Sequence, residues 1–189
     1  MFVQNHPLIL ASKSPRRQEL LKLMDLQFEI LLKDVDERYP AGLEPHEVAQ
    51  YISEKKADAF LTDQLNAIVI TADTIVSYKD EILGKPEDAG HAVEMLSKLS
   101  GNKHEVYTGV SLAYQGEINT FFDVTEVSFR KLLPAQIEYY IEHYKPFDKA
   151  GSYGVQDWIG MVAVEKIVGS YTNVMGLPTE KLYSALAAF

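Results

Sequence analysis

The sequence predicts a mixed α/β fold, a sheet that is not purely parallel with helices set against it, and three observations carry the expectation. Short apolar runs at residues 8–11, 28–32 and 67–71 have the length of strands, and the third is β-branched through Ile68, Val69, Ile70 and Thr71. Segments with helical spacing are interleaved with them, residues 44–65 being the longest. From residue 104 to 129 the pattern changes to alternation, with Val106, Thr108, Val110, Leu112 and Tyr114 before a Gln115-Gly116 turn and residues 122–129 after it, which reads as one long antiparallel hairpin.

The first strand leads into the most informative stretch. After the apolar run of residues 8–11, Ser12, Lys13 and Ser14 make a polar turn. Pro15 suits the first helical position, where a missing N–H is harmless and the fixed φ is already helical. Ser14 stands before it as an N-cap, and Arg16 and Arg17 fall in the first turn. Cations there oppose the helix dipole. Spare backbone N–H groups, two hydroxyls and two guanidinium forks thus meet at a strand-to-helix junction, which is the chemistry of a phosphate site. Taken alone, the segment reads equally as a capped surface helix with solvated arginines. It is not a P-loop, because no Gly-x-x-x-x-Gly-Lys-Ser/Thr is present.

The remaining elements follow in order. Residues 28–32 read as a second strand, and in the helix of residues 44–65 Val48, Ile52, Ala59 and Phe60 form an apolar stripe. The strand of residues 67–71 runs into Ala72-Asp73-Thr74, and residues 81–84 follow a turn at Lys79-Asp80. Residues 88–100 read as a helix with Ala92, Met95, Leu96 and Leu99 on one face and Gly101 as its stop. Beyond the hairpin, residues 134–144 read as helix, 161–168 as strand and 178–189 as a closing amphipathic helix. No linker, low-complexity tract or repeat interrupts the chain, so residues 1–189 are expected to form a single domain.

Composition narrows the function. A hydrophobic fraction of 47% in 189 residues supports a sizeable core. The absence of cysteine excludes a disulfide framework and thiolate metal sites. With 18 basic and 27 acidic residues the net charge is −9, which argues against a nucleic-acid polymer as partner while leaving room for a small polyanion at a local basic cluster. The N-terminus lacks a basic signal-peptide region and no apolar run has membrane-spanning length, so a cytoplasmic protein with no membrane partner is expected.

Several residues carry candidate chemistry. Asp73, expected at the C-terminal end of a buried strand, reads as a ligand of a divalent ion or as a base toward water, and equally as a turn residue. Asp36-Glu37 supplies a second carboxylate pair that otherwise reads as solvated loop. Carboxylates from two strand ends, with phosphate oxygens and water, suit Mg²⁺ or Mn²⁺. The five histidines show no metal-ligand spacing. Lys85 lies in a loop stiffened by Pro86, and Lys56 lies on the long helix; either reads as phosphate contact or as surface charge. In residues 147–156, Gly151 and Gly154 allow a tight backbone. Tyr153 there reads either as a base-stacking ring or as core, and Gln156 offers a donor and an acceptor matching one edge of uracil or thymine.

Together these motifs resemble the Maf family, related in fold to inosine-triphosphate pyrophosphatases. The match runs from Leu8 to about Pro178 through Ala-Ser-Lys-Ser-Pro-Arg-Arg, Asp-Glu, Lys56-Ala57, Ala-Asp-Thr, Gly-Lys-Pro, Leu99-Ser-Gly101, Asp148-Lys-Ala-Gly151 and Gly-Ser-Tyr…Met-Gly-Leu-Pro. Tyr153-Gly-Val-Gln156 resembles the branch that hydrolyses dTTP and UTP. The resemblance implies an elongated mixed sheet with two lobes around a cleft, a homodimer, and a nucleoside triphosphate pyrophosphatase using Mg²⁺ or Mn²⁺. It implies Asp73 as catalytic carboxylate, Glu37 and Asp73 as metal ligands, and Ser12, Arg16, Thr74, Lys56, Lys85 and Gln156 as substrate-binding or specificity residues. A house-cleaning or division-linked role follows, and the alternative is a non-catalytic nucleotide-binding regulator of septum formation. Asp157-Trp158-Ile159-Gly160 departs from the Gly-rich sequence that relatives often carry after the glutamine.

Overall fold

Leu8, Ile9 and Leu10 are all buried, as an interior strand of a parallel array requires. They form β1 (Leu8–Leu10), which lies between β2 (Phe28–Ile30) and β3 (Ile68–Tyr78), parallel to both. The structure is a computed structural model describing residues 4–63, 66–79 and 81–189. Among them are also β4 (Glu81–Leu83), β5 (Lys103–Tyr114), β6 (Glu117–Phe129) and β7 (Val164–Val168). The sheet order is β2-β1-β3-β5-β6-β7, with β4 paired to β3. The β3–β4 and β6–β7 pairs are antiparallel, and the β5–β6 hairpin turns at Gln115 and Gly116, both at positive φ. The fold class is the mixed α/β sheet expected, flanked by helices.

Those helices are α1 (Pro15–Leu23), α2 (Pro45–Asp58), α3 (Ala89–Leu99), α4 (Pro134–Tyr144), α5 (Trp158–Ala163), α6 (Tyr171–Met175) and α7 (Thr179–Leu186). No helix among the described residues is long and apolar enough to cross a membrane. The described residues cluster into two compact units. One comprises residues up to Asp73 with Thr108–Asp123 and Gly176–Phe189; the other comprises Thr74–Tyr107 and Val124–Met175. Three of the four divisions fall inside β3, β5 and β6, and the fourth follows α6.

In the first unit, Ile9, Ala67, Val69 and Ala113 pack with Ala57 and Phe60. Continuing by twos along β3, Thr71 Oγ1 donates to the Ser53 carbonyl of α2 at 2.7 Å, and Ser53 Oγ meets Ser111 Oγ at 2.9 Å. The helix lies so close to β5 that a Cβ on Gly109 would stand 2.3 Å from the Ala49 carbonyl oxygen. Lys56 follows Ser53 by three residues on the same helix face. In the second unit, His104, Phe129 and Tyr153 make edge-to-face contacts, with Tyr153 Oη 2.7 Å from His104 Nε2.

Four expectations are corrected. The strand expected at residues 67–71 runs on to Tyr78, so Asp73 lies inside it, just past the end of the β1 pairing, where Leu10 faces Ile70. The β-branched Thr74, Ile75 and Val76 extend it, and β4 pairs with its second half. The helix expected at residues 44–65 ends at Asp58; Gln64 and Leu65 lie outside the described residues, as does Asp80 of the expected turn. Residues 161–163, expected in a strand, finish α5, whose Gly160 lets the helix backbone sit against the Val155 carbonyl where no Cβ fits. The second hairpin strand, expected at residues 122–129, begins at Glu117, directly after the turn. Of the two readings of Tyr153, base-stacking ring or core, the structure shows the core, with the ring buried against His104 and Phe129.

Candidate active site

Ser14 caps α1 as expected, its Oγ accepting from Arg17 N–H at 3.4 Å, with Pro15 opening the helix. Ser12 is buried, and its hydroxyl accepts from Ser14 N–H at 3.2 Å and from Arg17 Nη1 at 3.1 Å. Arg17 Nε donates to the Gly176 carbonyl at 2.8 Å. Its guanidinium is therefore fixed at both ends of its fork. Burial pulls the Arg17 pKa down, the Asp73 and Glu37 charges pull it back up, and Arg16 lowers it. These four charges therefore share one neighbourhood, and a guanidinium stays protonated there.

At its centre, Lys56 Nζ lies 2.8 Å from Asp73 Oδ1 and 2.9 Å from Glu37 Oε1. The Lys56 and Asp73 side chains are only 17% and 15% exposed, whereas Glu37 is half exposed at 51%. The helix-to-strand hydroxyl network one turn back fixes the Lys56 backbone. The carboxylates thus converge on one cationic atom, beside a strand-to-helix junction carrying Arg16 and Arg17.

Among the described residues no group of three or more metal-binding side chains is gathered. Two converging carboxylates nevertheless fit a hard divalent cation, which is often held by one or two carboxylates while substrate phosphates and water supply the other oxygens. Lys56 takes the cation position in this structure.

The second unit holds the other candidates. Lys85 is exposed, in a loop tied down where Gly151 N–H donates to the Gly84 carbonyl at 3.0 Å. Thr74 is half-buried and shares its strand face with Val76, whose side chain lies against Gly151. Gln156 is half-buried, and its Oε1 is buried with no hydrogen-bond partner among the described residues. The same holds for the buried His104 Nδ1 and Ser152 Oγ of this unit, and each such atom has its hydrogen-bonding capacity open to water or a ligand.

Ser12, Arg16, Glu37, Lys56 and Asp73 come together as one polar cluster in the first unit. Sequence reasoning assigned no separate role to Arg17, the guanidinium fixed by Ser12 and Gly176. The Met-Gly-Leu-Pro segment, named among the family motifs, supplies that Gly176 carbonyl. Gly109 inside an alternating strand was the available signal that a helix backbone approaches there. The bonds of Tyr140 to Gly154 and Asp157, on either side of Gln156 in the chain, left no signal.

The fold and this cluster define an α/β protein with a site of paired carboxylates, lysine and arginine suited to a polyphosphate and a divalent cation. A HAM1 protein from Coxiella burnetii shares the fold, with a TM-score of 0.52 over 97% of this chain and 100% of that one at 13% identity. The chain belongs to the Maf-like protein family, whose profile matches residues 7–189. It is 49% identical to a dTTP/UTP pyrophosphatase of Flavobacterium psychrophilum, covering 95% of this chain and 93% of that protein. It is 48% identical to a dTTP/UTP pyrophosphatase of Flavobacterium johnsoniae, covering 97% and 95%.

Proposed function

We infer that this chain hydrolyses dTTP and UTP to the nucleoside monophosphate and pyrophosphate. The observation that carries the reading is the Lys56 ammonium held between Asp73 and Glu37 beside the arginines of α1. The relatives named dTTP/UTP pyrophosphatase support the substrate class.

In this reading Arg16, Lys56 and Lys85 neutralise the triphosphate and the charge that builds at the α-phosphorus, and Ser12 orients the loop that meets it. Glu37 and Asp73 hold Mg²⁺ or Mn²⁺, which when bound supplies charge neutralisation and polarises the phosphoryl group. Lys56 leaves the carboxylates to follow the phosphates. Asp73 takes the proton of the attacking water; the new P–O bond forms at the α-phosphorus as the bond to the bridging α,β-oxygen breaks, and pyrophosphate leaves. Gln156, helped by Thr74, reads the base: its amide accepts from N3–H and donates to O4, a pattern cytosine reverses.

The protein acts as a cytoplasmic homodimer in this reading, and a monomeric mass by sedimentation at micromolar concentration would count against the dimer. The test of function is incubation of the pure protein with UTP and Mn²⁺. Stoichiometric pyrophosphate is expected; orthophosphate as first product, or no turnover, overturns the reading.

A further inference from the structure

Gln156 sits in a tight turn whose two ends are held by one buried phenol. Asp157 N–H donates to the Gly154 carbonyl at 3.0 Å, closing the turn over Val155 and Gln156. Tyr140 of α4, with no exposed surface, accepts the Gly154 N–H at 3.1 Å and donates to Asp157 Oδ2 at 2.7 Å. Burial, and then the bond to Asp157, push the Tyr140 phenol above its usual range, so it remains the donor. Lys149 Nζ lies 3.8 Å from the same carboxylate oxygen and 2.8 Å from Asp148 Oδ1.

Gly154 shows how closely these groups are gathered. A Cβ there would lie 2.7 Å from Asp157 Oδ2 and 2.9 Å from Gln156 Nε2, so the carboxylate oxygen and the amide nitrogen flank the same point. A glutamine amide has two near-isosteric orientations. Turned the other way, Gln156 would put its oxygen where the nitrogen now stands, on the side of Gly154 that the Asp157 carboxylate also lines. The field of that charge, rather than a hydrogen bond, favours the N–H there, and the flip is what separates uracil from cytosine, because the two bases reverse donor and acceptor on this edge.

We propose that Tyr140 and Asp157 are positioning residues for pyrimidine selection, fixing the 154–157 turn and the orientation of the Gln156 amide so that uracil and thymine are accepted and cytosine is refused. The proposal rests on Gln156 as the base reader.

The experiment measures kcat and KM for UTP and CTP in the wild type, Tyr140→Phe, Asp157→Asn, Asp157→Glu and Gln156→Ala, with thermal melting of each. Tyr140→Phe and Asp157→Asn are expected to lower the UTP-over-CTP ratio of kcat/KM by roughly five- to tenfold, through KM, with kcat for UTP within about twofold. Asp157→Glu, which keeps the carboxylate, recovers part of the ratio. Gln156→Ala brings the ratio toward unity. If Gln156→Ala loses the preference while Tyr140→Phe and Asp157→Asn keep it, base reading stands and the positioning role is overturned. If Gln156→Ala keeps the preference, the base-reading assignment fails and takes the positioning role with it. Equal loss of kcat for both nucleotides at an unchanged ratio makes the pair merely structural and also overturns the proposal. Asp157→Asn removes only a charge from a half-buried side chain, so it answers the question even where Tyr140→Phe unfolds.

Discussion

Replacing Lys56 by methionine removes the ammonium while keeping most of the apolar stem, and leaves Asp73 and Glu37 facing each other without a counter-charge. Both carboxylate oxygens lie within hydrogen-bond reach of Nζ, so they stand about 5 Å apart, where two like charges at an effective dielectric of ~20 repel by about 3 kcal/mol. Removing one partner of a fully buried pair costs about 3–5 kcal/mol, and an exposed pair contributes about 1 kcal/mol or less. The Lys56–Asp73 pair stands near the first limit and the half-exposed Glu37 near the second. A loss of roughly 2–4 kcal/mol follows, or a fall in Tm of roughly 5–15 °C for a chain of this size.

A divalent cation between the carboxylates should recover much of that loss. Ligand at about a hundred times its Kd stabilises by about 2.7 kcal/mol. Thermal melting with and without Mn²⁺ is the assay. The cation should raise the Tm of Lys56→Met more than that of the wild type, where Lys56 competes for the position. The excess should vanish in Lys56→Met/Asp73→Asn. A Lys56→Met protein that melts with the wild type, or equal Mn²⁺ shifts in both, would refute the reasoning.

Three further outcomes are expected. Asp73→Asn should lower kcat for UTP by on the order of 10²-fold or more while the fold persists, and near-wild-type turnover would remove Asp73 from the role of base. His104 is held down to about 3 by burial, below its ordinary 6.5, so its contribution to stability is complete above pH 6.5 and is lost as the pH falls from there toward 3. Urea midpoints measured against pH should show that acid limb, and His104→Gln, which has no titrating ring, should flatten it; parallel limbs would dismiss His104 as its source. Gly109→Ala should destabilise by about 1–3 kcal/mol, read by urea denaturation, because its Cβ would press on the Ala49 carbonyl at 2.3 Å and the Gln50 nitrogen at 2.6 Å, both backbone. A midpoint unchanged by that substitution would mean that α2 has room to withdraw from β5.

The elements most legible in the sequence are those with local causes. Ser14-Pro15 announced the start of α1, Asp88 and Gly101 bracketed α3, and alternation before Gln115-Gly116 gave β5 within a residue of its ends, whereas β6 begins five residues before the strand expected from residue 122. The extension of β3 beyond Thr71 was missed because Asp73 is polar; the far end of the strand, Val76–Tyr78, is held by pairing with β4, a tertiary cause. Similarly, α5 is too short to show a helical period, and its course depends on a glycine against the Val155 carbonyl. At the candidate site, the sequence named Ser12, Arg16, Glu37, Lys56 and Asp73 but not what holds them together. The anchoring of Arg17 by Gly176 joins residues 159 positions apart, and the Tyr140 bond to Asp157 joins two that only folding brings together.

The central claim, attack of water at the α-phosphorus, is tested most directly by hydrolysing UTP in H₂¹⁸O with Mn²⁺ and locating the label by mass spectrometry. One ¹⁸O in UMP and none in pyrophosphate is the expected result. Label in pyrophosphate, or in orthophosphate released beside UDP, would place the attack at another phosphorus and contradict it.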